Sequence, residues 1–434
     1  AASAAAHQWH QTGPERRGRI LREAARLLEA NAVEIAQWIV RETGAVQSKA
    51  DFEVQLAADE IHQAAGLPTQ PCGYLLPGPR PDRLNMALRL PLGVVGVIAP
   101  WNFPLILGIR SVAPALALGN AVVLKPDPQT PVTGGVAIAR LFEEAGLPEG
   151  LLSVVPGGVD VGEALVTDPS VRMITFTGST LAGRRVGELA GKNLKRVMLE
   201  LGGNNAMIVL DDCDVALAAS AGAWGSFLHQ GQICMSTGRH IVHRSVAEAY
   251  IDTITAKAKA LRVGDPYRNR EVELGPIINK KQVDRIHSIV TDSIAAGAEL
   301  RTGGTYEGPF YKPTVLSNIT QDMPAFKDEI FGPVAPVAVV QDEEEAINLA
   351  NASDYGLVAA IQTGSLQRGL EIARRLRAGI VHVNDQTLNN VAYAPFGGVG
   401  QSGNGSRFGS QSSLDEFTEW RWVTAGSRSP QYPF

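Results

Sequence analysis

Leu92 to Ile109 reads LGVVGVIAPWNFPLILGI and is the longest apolar stretch of the chain. A bilayer-spanning helix needs about 20 such residues. Pro100, Trp101, Asn102 and Pro104 fall at its middle, however, and a helix crossing hydrocarbon would not place a break and an amide there. The stretch therefore reads as a buried strand over Val94–Ala99, a loop, and the start of a helix. That reading decides the fold.

The same rhythm continues downstream. Helix is expected over Ser111–Leu118, Val132–Glu144, Val161–Val166 and Leu181–Ala190, and strand over Ala121–Leu124, Leu152–Val155, Met173–Thr177 and Arg196–Leu201. Short apolar strands alternating with helices indicate a parallel sheet covered on both faces. Ligands of such sheets collect at the carboxyl ends of the strands. The punctuation falls there: Pro100-Trp101-Asn102, Lys125-Pro126, Gly157-Gly158, Thr177-Gly178-Ser179 and Glu200. A second βα stretch opens with strand over Ala206–Leu210 and helix over Ala216–Leu228. It continues through Ile241–His243, Ala247–Leu261, Val334–Val340, Ala346–Ala350, Ala359–Thr363 and Gly369–Leu376. Upstream, helical segments from Glu15, over Ala32–Arg41 and over Ser48–Ala64 give way to a Pro/Gly-rich segment, Gly66 to Pro81. Leu84–Leu92 and Phe417–Thr424 read as exposed edge strands.

The 434 residues suit two or three domains of about 150 residues each, and 45% hydrophobic residues supply their cores. Lys+Arg 39 against Asp+Glu 44 gives a net charge of -5 with no basic block, so no nucleic-acid partner is expected. Cys72, Cys213 and Cys234 are too far apart for a metal knuckle or a disulfide framework. No metal is expected, and a reducing, cytoplasmic setting with no membrane partner fits best. The N-terminus has no signal-peptide pattern. It also lacks a Met, so the natural start is expected to lie upstream.

Two residues carry the chemistry. Cys234 lies in Gly231-Gln232-Ile233-Cys234, on a Gly-flanked turn after an apolar segment, where a thiolate could meet a small electrophile. A free thiol of pKa about 8.5 needs a base or dipole nearby to ionise at neutral pH. Glu200 leaves an apolar strand at Gly202-Gly203, placed to activate water. A lone Cys is more often an inert core residue, and a lone Glu a surface ion-pair partner; Cys72 and Cys213 keep the inert reading.

Five motifs in order overturn the bland alternatives for Cys234, Glu200 and Asn102. Pro100-Trp101-Asn102-Phe103-Pro104, Phe176-Thr177-Gly178-Ser179, Glu200-Leu201-Gly202-Gly203, Gly231-Gln232-Ile233-Cys234 and Glu329-Ile330-Phe331-Gly332-Pro333 resemble the aldehyde dehydrogenase superfamily over nearly the whole chain. The resemblance implies an α/β fold: a Rossmann-like dinucleotide-binding domain (1–72 and 93–202), an α/β catalytic domain (203–403) and a small β oligomerisation arm (73–92 and 404–434). It implies a homodimer or homotetramer. It makes Cys234 the nucleophile, Glu200 the base that hydrolyses the thioester, and Asn102 a donor to the oxyanion with the Cys234 backbone N–H. NAD would contact Trp101, Lys125, Gly158, Gly178, Ser179, Glu329 and Phe331.

Two positions depart from the common pattern. Pro128 replaces a ribose-binding Glu, which removes one barrier to NADP, and Arg407 replaces a second acid/base Glu, leaving Glu200 the clearer base. Gly398-Val399-Gly400-Gln401-Ser402-Gly403 spells GxGxxG but opens no βα unit, and reads as a turn.

Arg110-Ser111-Val112-Ala113-Pro114, the run after Cys234 (Met235-Ser236-Thr237) and Gly400-Gln401-Ser402-Gly403-Asn404-Gly405 look most like benzaldehyde, salicylaldehyde and vanillin dehydrogenases. The substrate tunnel is expected to use Phe103, Leu107, Arg110, Phe227, Leu228, Ile233, Tyr393 and Phe396, a lining suited to a flat ring. Arg110 could equally hold a helix end. The rival readings are an aliphatic or semialdehyde dehydrogenase of the same mechanism, a CoA-acylating relative, and a non-enzymatic structural or binding relative.

Overall fold

The structure is a computed structural model that describes residues 2–78 and 80–434; Ala1 and Pro79, which the segment assignments include, lie outside the described residues. The Leu92–Ile109 stretch resolves as expected into the strand Val94–Ile98, a loop, and the helix Pro104–Ala117. The helix expected over Ser111–Leu118 is the second half of that same helix; almost every one of its residues is buried, so it shows no polar face. No helix among the described residues is long and apolar enough to cross a membrane.

Three sheets organise the chain. The first is five-stranded and parallel, in the order Leu152–Val154, Ala121–Lys125, Val94–Ile98, Met173–Thr177, Arg196–Glu200. The chain runs outward from Val94–Ile98 in one direction, then returns beside it to run the other way. Its carboxyl end is therefore a topological switch point, where open α/β sheets hold their ligands. Pro100, Trp101 and Asn102 leave the sheet at that point.

The second sheet has seven strands, in the order Glu299–Thr302, Thr314–Ser317, Val334–Val340, Thr237–His243, Asn205–Val209, Val358–Gln362, Ile380–Val383; only its first pair is antiparallel. The strands Glu299–Thr302, Thr314–Ser317 and Ile380–Val383 and the helix Lys280–Ala295 were not legible in the sequence. Four-residue strands are too short to display a period. The third sheet is antiparallel: Gly73–Leu75, Arg83–Pro91 and Thr418–Gly426. The GxGxxG segment is a turn whose Val399–Gly400 pairs with Tyr355–Gly356, while Gly403 bridges to Glu200.

One large core joins the N-terminal helices, the helix Pro104–Ala117 and the face of the first sheet. Phe396, Phe408, Leu414 and Phe417 pack into the same core, so the C-terminal segment closes over the first sheet's neighbourhood and brings Arg407 toward Glu200.

Candidate active site

Cys234 is presented by a strained turn. His229 (φ 49°), Gln230 (φ 56°) and Gly231 (φ 67°) follow one another in the left-handed region, which non-glycine residues rarely adopt outside functional sites. At position 231 only glycine fits, because an added Cβ would lie 2.1 Å from the Gly332 carbonyl oxygen. After the turn, the Asn205 Nδ2 donates to the Cys234 and Ser236 carbonyls at 2.8 and 2.7 Å. The Asn205 Oδ1 accepts from Val358 N–H at 3.0 Å. Asn205 was not singled out in the sequence, although it lies two residues after the Gly202-Gly203 motif.

Cys234 is partly exposed and lines a cavity holding about 490 Å³ of empty space, some of it open to solvent. Of the eight residues expected there, Phe103, Leu107, Arg110, Leu228, Ile233 and Phe396 line it. Phe227 and Tyr393 do not, and both assignments are corrected. Phe227 is the last residue of its helix and turns into the core of the second sheet beside Tyr250. Tyr393 is 67% exposed, on the outer surface of a loop. Phe52, Leu56, Ile106, Met235, Leu388 and Asn390 complete the lining. Phe52 and Leu56 lie one turn apart on the helix Gln47–Ala64, and a helical period cannot announce which distant site its apolar side meets.

Arg110 is committed within the wall. Its Nε donates to Glu60 at 2.9 Å and its guanidinium carbon lies 4.4 Å from the Phe396 ring centroid. The cation is thus paired and stacked, which favours the helix-holding reading.

Asn102 lines the same cavity as Cys234. One Nδ2 hydrogen goes to the Gln232 carbonyl at 2.9 Å. Among the described residues, neither the second Nδ2 hydrogen nor the Cys234 backbone N–H has a protein partner, so both donors are free for a ligand oxygen.

Glu200 ends the strand Arg196–Glu200, is 4% exposed, and among the described residues neither carboxylate oxygen makes a hydrogen bond of good geometry. Burial pushes its pKa well up; Arg110, Arg407 and the nearby Gly398 amide act in the opposite direction. Gly397 separates Glu200 from Arg407: a Cβ there would lie 2.7 Å from both Glu200 Oε1 and Arg407 Cδ. Burial also pushes the Cys234 thiol up to about 12, with Glu329 and Glu200 adding to it. The carboxylates thus lie within electrostatic reach of the sulfur. The resting thiol is therefore protonated, and a base would have to take its proton before the sulfur could act as a nucleophile.

The cofactor candidates gather at the carboxyl edge of the first sheet. Lys125 is buried, with only the Pro126 carbonyl near its Nζ at 3.3 Å and no ion pair among the described residues. Ser179 caps the helix Thr180–Lys192, Gly158 occupies the cap position of Val159–Thr167, and Gly178 N–H donates to the Glu200 carbonyl at 3.0 Å. Trp101 and Phe331 meet edge to face at 5.6 Å. Glu329 accepts from Gly203 N–H at 2.8 Å, and burial raises its pKa to about 7. A buried cation without a carboxylate, two helix N-termini and an aromatic pair suit a dinucleotide phosphate backbone and a flat ring.

The aldehyde dehydrogenase family model matches residues 1–423. The chain belongs to the aldehyde dehydrogenase family. It is 56% identical to the vanillin dehydrogenase of Amycolatopsis sp. over 434 residues, covering all of this chain and 89% of that protein. It is 52% identical to the NAD(+) benzaldehyde dehydrogenase of Pseudomonas putida, with the same coverage. Among solved structures, betaine aldehyde dehydrogenase from Staphylococcus aureus in complex with NAD+ superposes with a TM-score of 0.96 at 30% identity, covering 100% of this chain and 86% of that one. An aldehyde dehydrogenase from Brucella melitensis biovar abortus gives 0.94 at 35% identity, covering 99% and 88%.

Proposed function

We propose that this aldehyde dehydrogenase oxidises an aromatic aldehyde to its carboxylic acid with NAD as hydride acceptor, NADP being a second acceptor. The single observation that carries the reading is one apolar cavity onto which Cys234 and Asn102 both open. Its Phe52, Phe103 and Phe396 rings and its aliphatic walls match a flat apolar substrate.

Cys234 Sγ attacks the aldehyde carbon and its proton passes to base. The oxyanion formed accepts hydrogen bonds from the second Asn102 Nδ2 hydrogen and the Cys234 backbone N–H. One such donor lowers a barrier by about 3–4 kcal/mol. A bound nicotinamide would supply the acceptor for the hydride that leaves the tetrahedral carbon, and Phe331 would help to hold it. A thioester then remains on Cys234, and Glu200 takes the proton of the water that attacks it. Collapse of the second tetrahedral state releases acid and returns the thiolate. Lys125, Ser179, Gly158, Gly178 and Trp101 would hold the dinucleotide, with Glu329 at its nicotinamide ribose.

The first sheet's region (1–72 and 93–202) would be the dinucleotide-binding domain, 203–403 the catalytic domain, and 73–92 with 404–434 the arm through which two or four copies assemble. Trp420, Trp422 and Leu75 are exposed on that arm's sheet, and edge strands seek partners. The free cysteines suit a reducing, cytoplasmic setting. Turnover of benzaldehyde, succinic semialdehyde and acetaldehyde, each with NAD and with NADP, tests the reading. Preference for benzaldehyde with acid as product is expected; preference for either aliphatic substrate would contradict it.

A further inference from the structure

The helix Gln47–Ala64 gives the site more than the apolar side chains of Phe52 and Leu56. Lys49 and Glu53, one turn apart, are both completely buried, where charged side chains occur only when matched. Lys49 Nζ donates to Glu53 Oε2 at 2.5 Å and to the Asn102 backbone carbonyl at 2.9 Å, and lies 3.9 Å from the Phe103 ring centroid. An ammonium has three donor hydrogens, and carboxylate, carbonyl and aromatic face account for all three. Glu53 Oε1 accepts from the Leu105 and Ile106 amides at 2.9 and 3.4 Å. Those are among the first free N–H groups of the helix Pro104–Ala117. The pair therefore grips the chain on both sides of Phe103: the carbonyl before it and the amides after it.

We propose that Lys49 is a positioning residue for the oxyanion site: by holding the Asn102 carbonyl, it fixes the peptide that aims the Asn102 side-chain amide at an aldehyde oxygen on Cys234. The inference rests on the assignment of Asn102 as an oxyanion donor. Preorganised donors accelerate a reaction because nothing has to reorient as charge develops. Without Lys49 the Asn102 carbonyl loses its hydrogen bond of good geometry and is free to turn toward the His229 ring, which already lies beside the Asn102 backbone and 5.5 Å, centroid to centroid, from the Phe103 ring.

The test is steady-state and single-turnover kinetics on the full chain. Lys49→Met is made together with Glu53→Gln, so that no unpaired carboxylate stays buried while a side-chain oxygen still accepts from Leu105. KM for benzaldehyde and the affinity for NAD are expected to stay within about twofold of the parent, while kcat falls about 10- to 100-fold, the scale of a misaimed catalytic group. Adding Asn102→Ala to this pair should cost no more than Asn102→Ala alone, because both act through one donor. Should the pair fold poorly, Lys49→Arg is the second arm. It keeps the charge but cannot satisfy the same three partners, and a kcat loss at unchanged KM is expected there too. A parental kcat in whichever of these variants folds, or multiplicative losses on combination with Asn102→Ala, overturns the inference. Full activity in Asn102→Ala alone would overturn the Asn102 assignment along with it, so the two failures are distinguishable.

Discussion

Glu53 and Glu200 are both buried carboxylates, one gripping the segment that follows Asn102 and the other within electrostatic reach of Cys234, and they are treated in opposite ways. Glu53 is saturated: an ammonium and two backbone amides satisfy it. Glu200 is buried at a strand end with no good hydrogen bond to either oxygen. A matched charge stiffens structure, whereas an unmatched one is held in a costly state that a reaction can use. In the proposed mechanism the Glu53 side of the site supplies rigidity and the Glu200 side proton transfer.

The largest expected effect bounds the comparison. Cys234→Ala should lose turnover on the order of 10⁴-fold or more while still binding dinucleotide, measured by NAD titration. Glu200→Gln should slow steady-state turnover by about 10²–10⁴-fold yet retain a burst of NADH in stopped flow. Equal loss of burst and steady state would assign that carboxylate another role.

Stability should separate the two glutamates in the opposite sense. Glu53→Ala strands the Lys49 charge and should cost about 3–5 kcal/mol, visible as a lowered melting temperature. Glu200→Gln should leave the melting temperature unchanged or raise it at neutral pH. A carboxyl whose pKa is raised on folding binds its proton more tightly in the folded state. Its contribution therefore diminishes as pH climbs from the unfolded toward the folded value, and Gln removes that loss.

The same raised pKa sets the pH dependence. As the proposed base, Glu200 would act only when ionised, so the deacylation rate should climb with pH through its elevated pKa and then level off. Arg407 favours the ionised form, so Arg407→Gln should move that climb to higher pH. A displacement downward would contradict the arrangement around Gly397. Phe52→Ala, the smallest change, should lower kcat/KM for benzaldehyde about 10-fold with little change for acetaldehyde.

Much of this was legible in the sequence. The switch from strand to loop to helix at Pro100–Pro104, and the motifs around Glu200 and Cys234, are local patterns that a one-dimensional reading can hold. Lys49 and Asn205 were not legible, because each acts on a segment that neighbours it only after folding: Lys49 meets Asn102 across 53 residues and Asn205 meets Cys234 across 29. Phe227 and Tyr393 were misplaced for a related reason. An aromatic residue close in sequence to the nucleophile, as Phe227 is, or to another wall residue, as Tyr393 is to Phe396, can face either side of a wall, and here one turns into the core and the other into solvent.

Intact-protein mass spectrometry of Glu200→Gln, mixed with NAD and benzaldehyde, tests the central claim most directly. A benzoyl adduct mapped to Cys234 and accompanied by stoichiometric NADH is the expected result. NADH formed with no adduct, or an adduct on another residue, would contradict it.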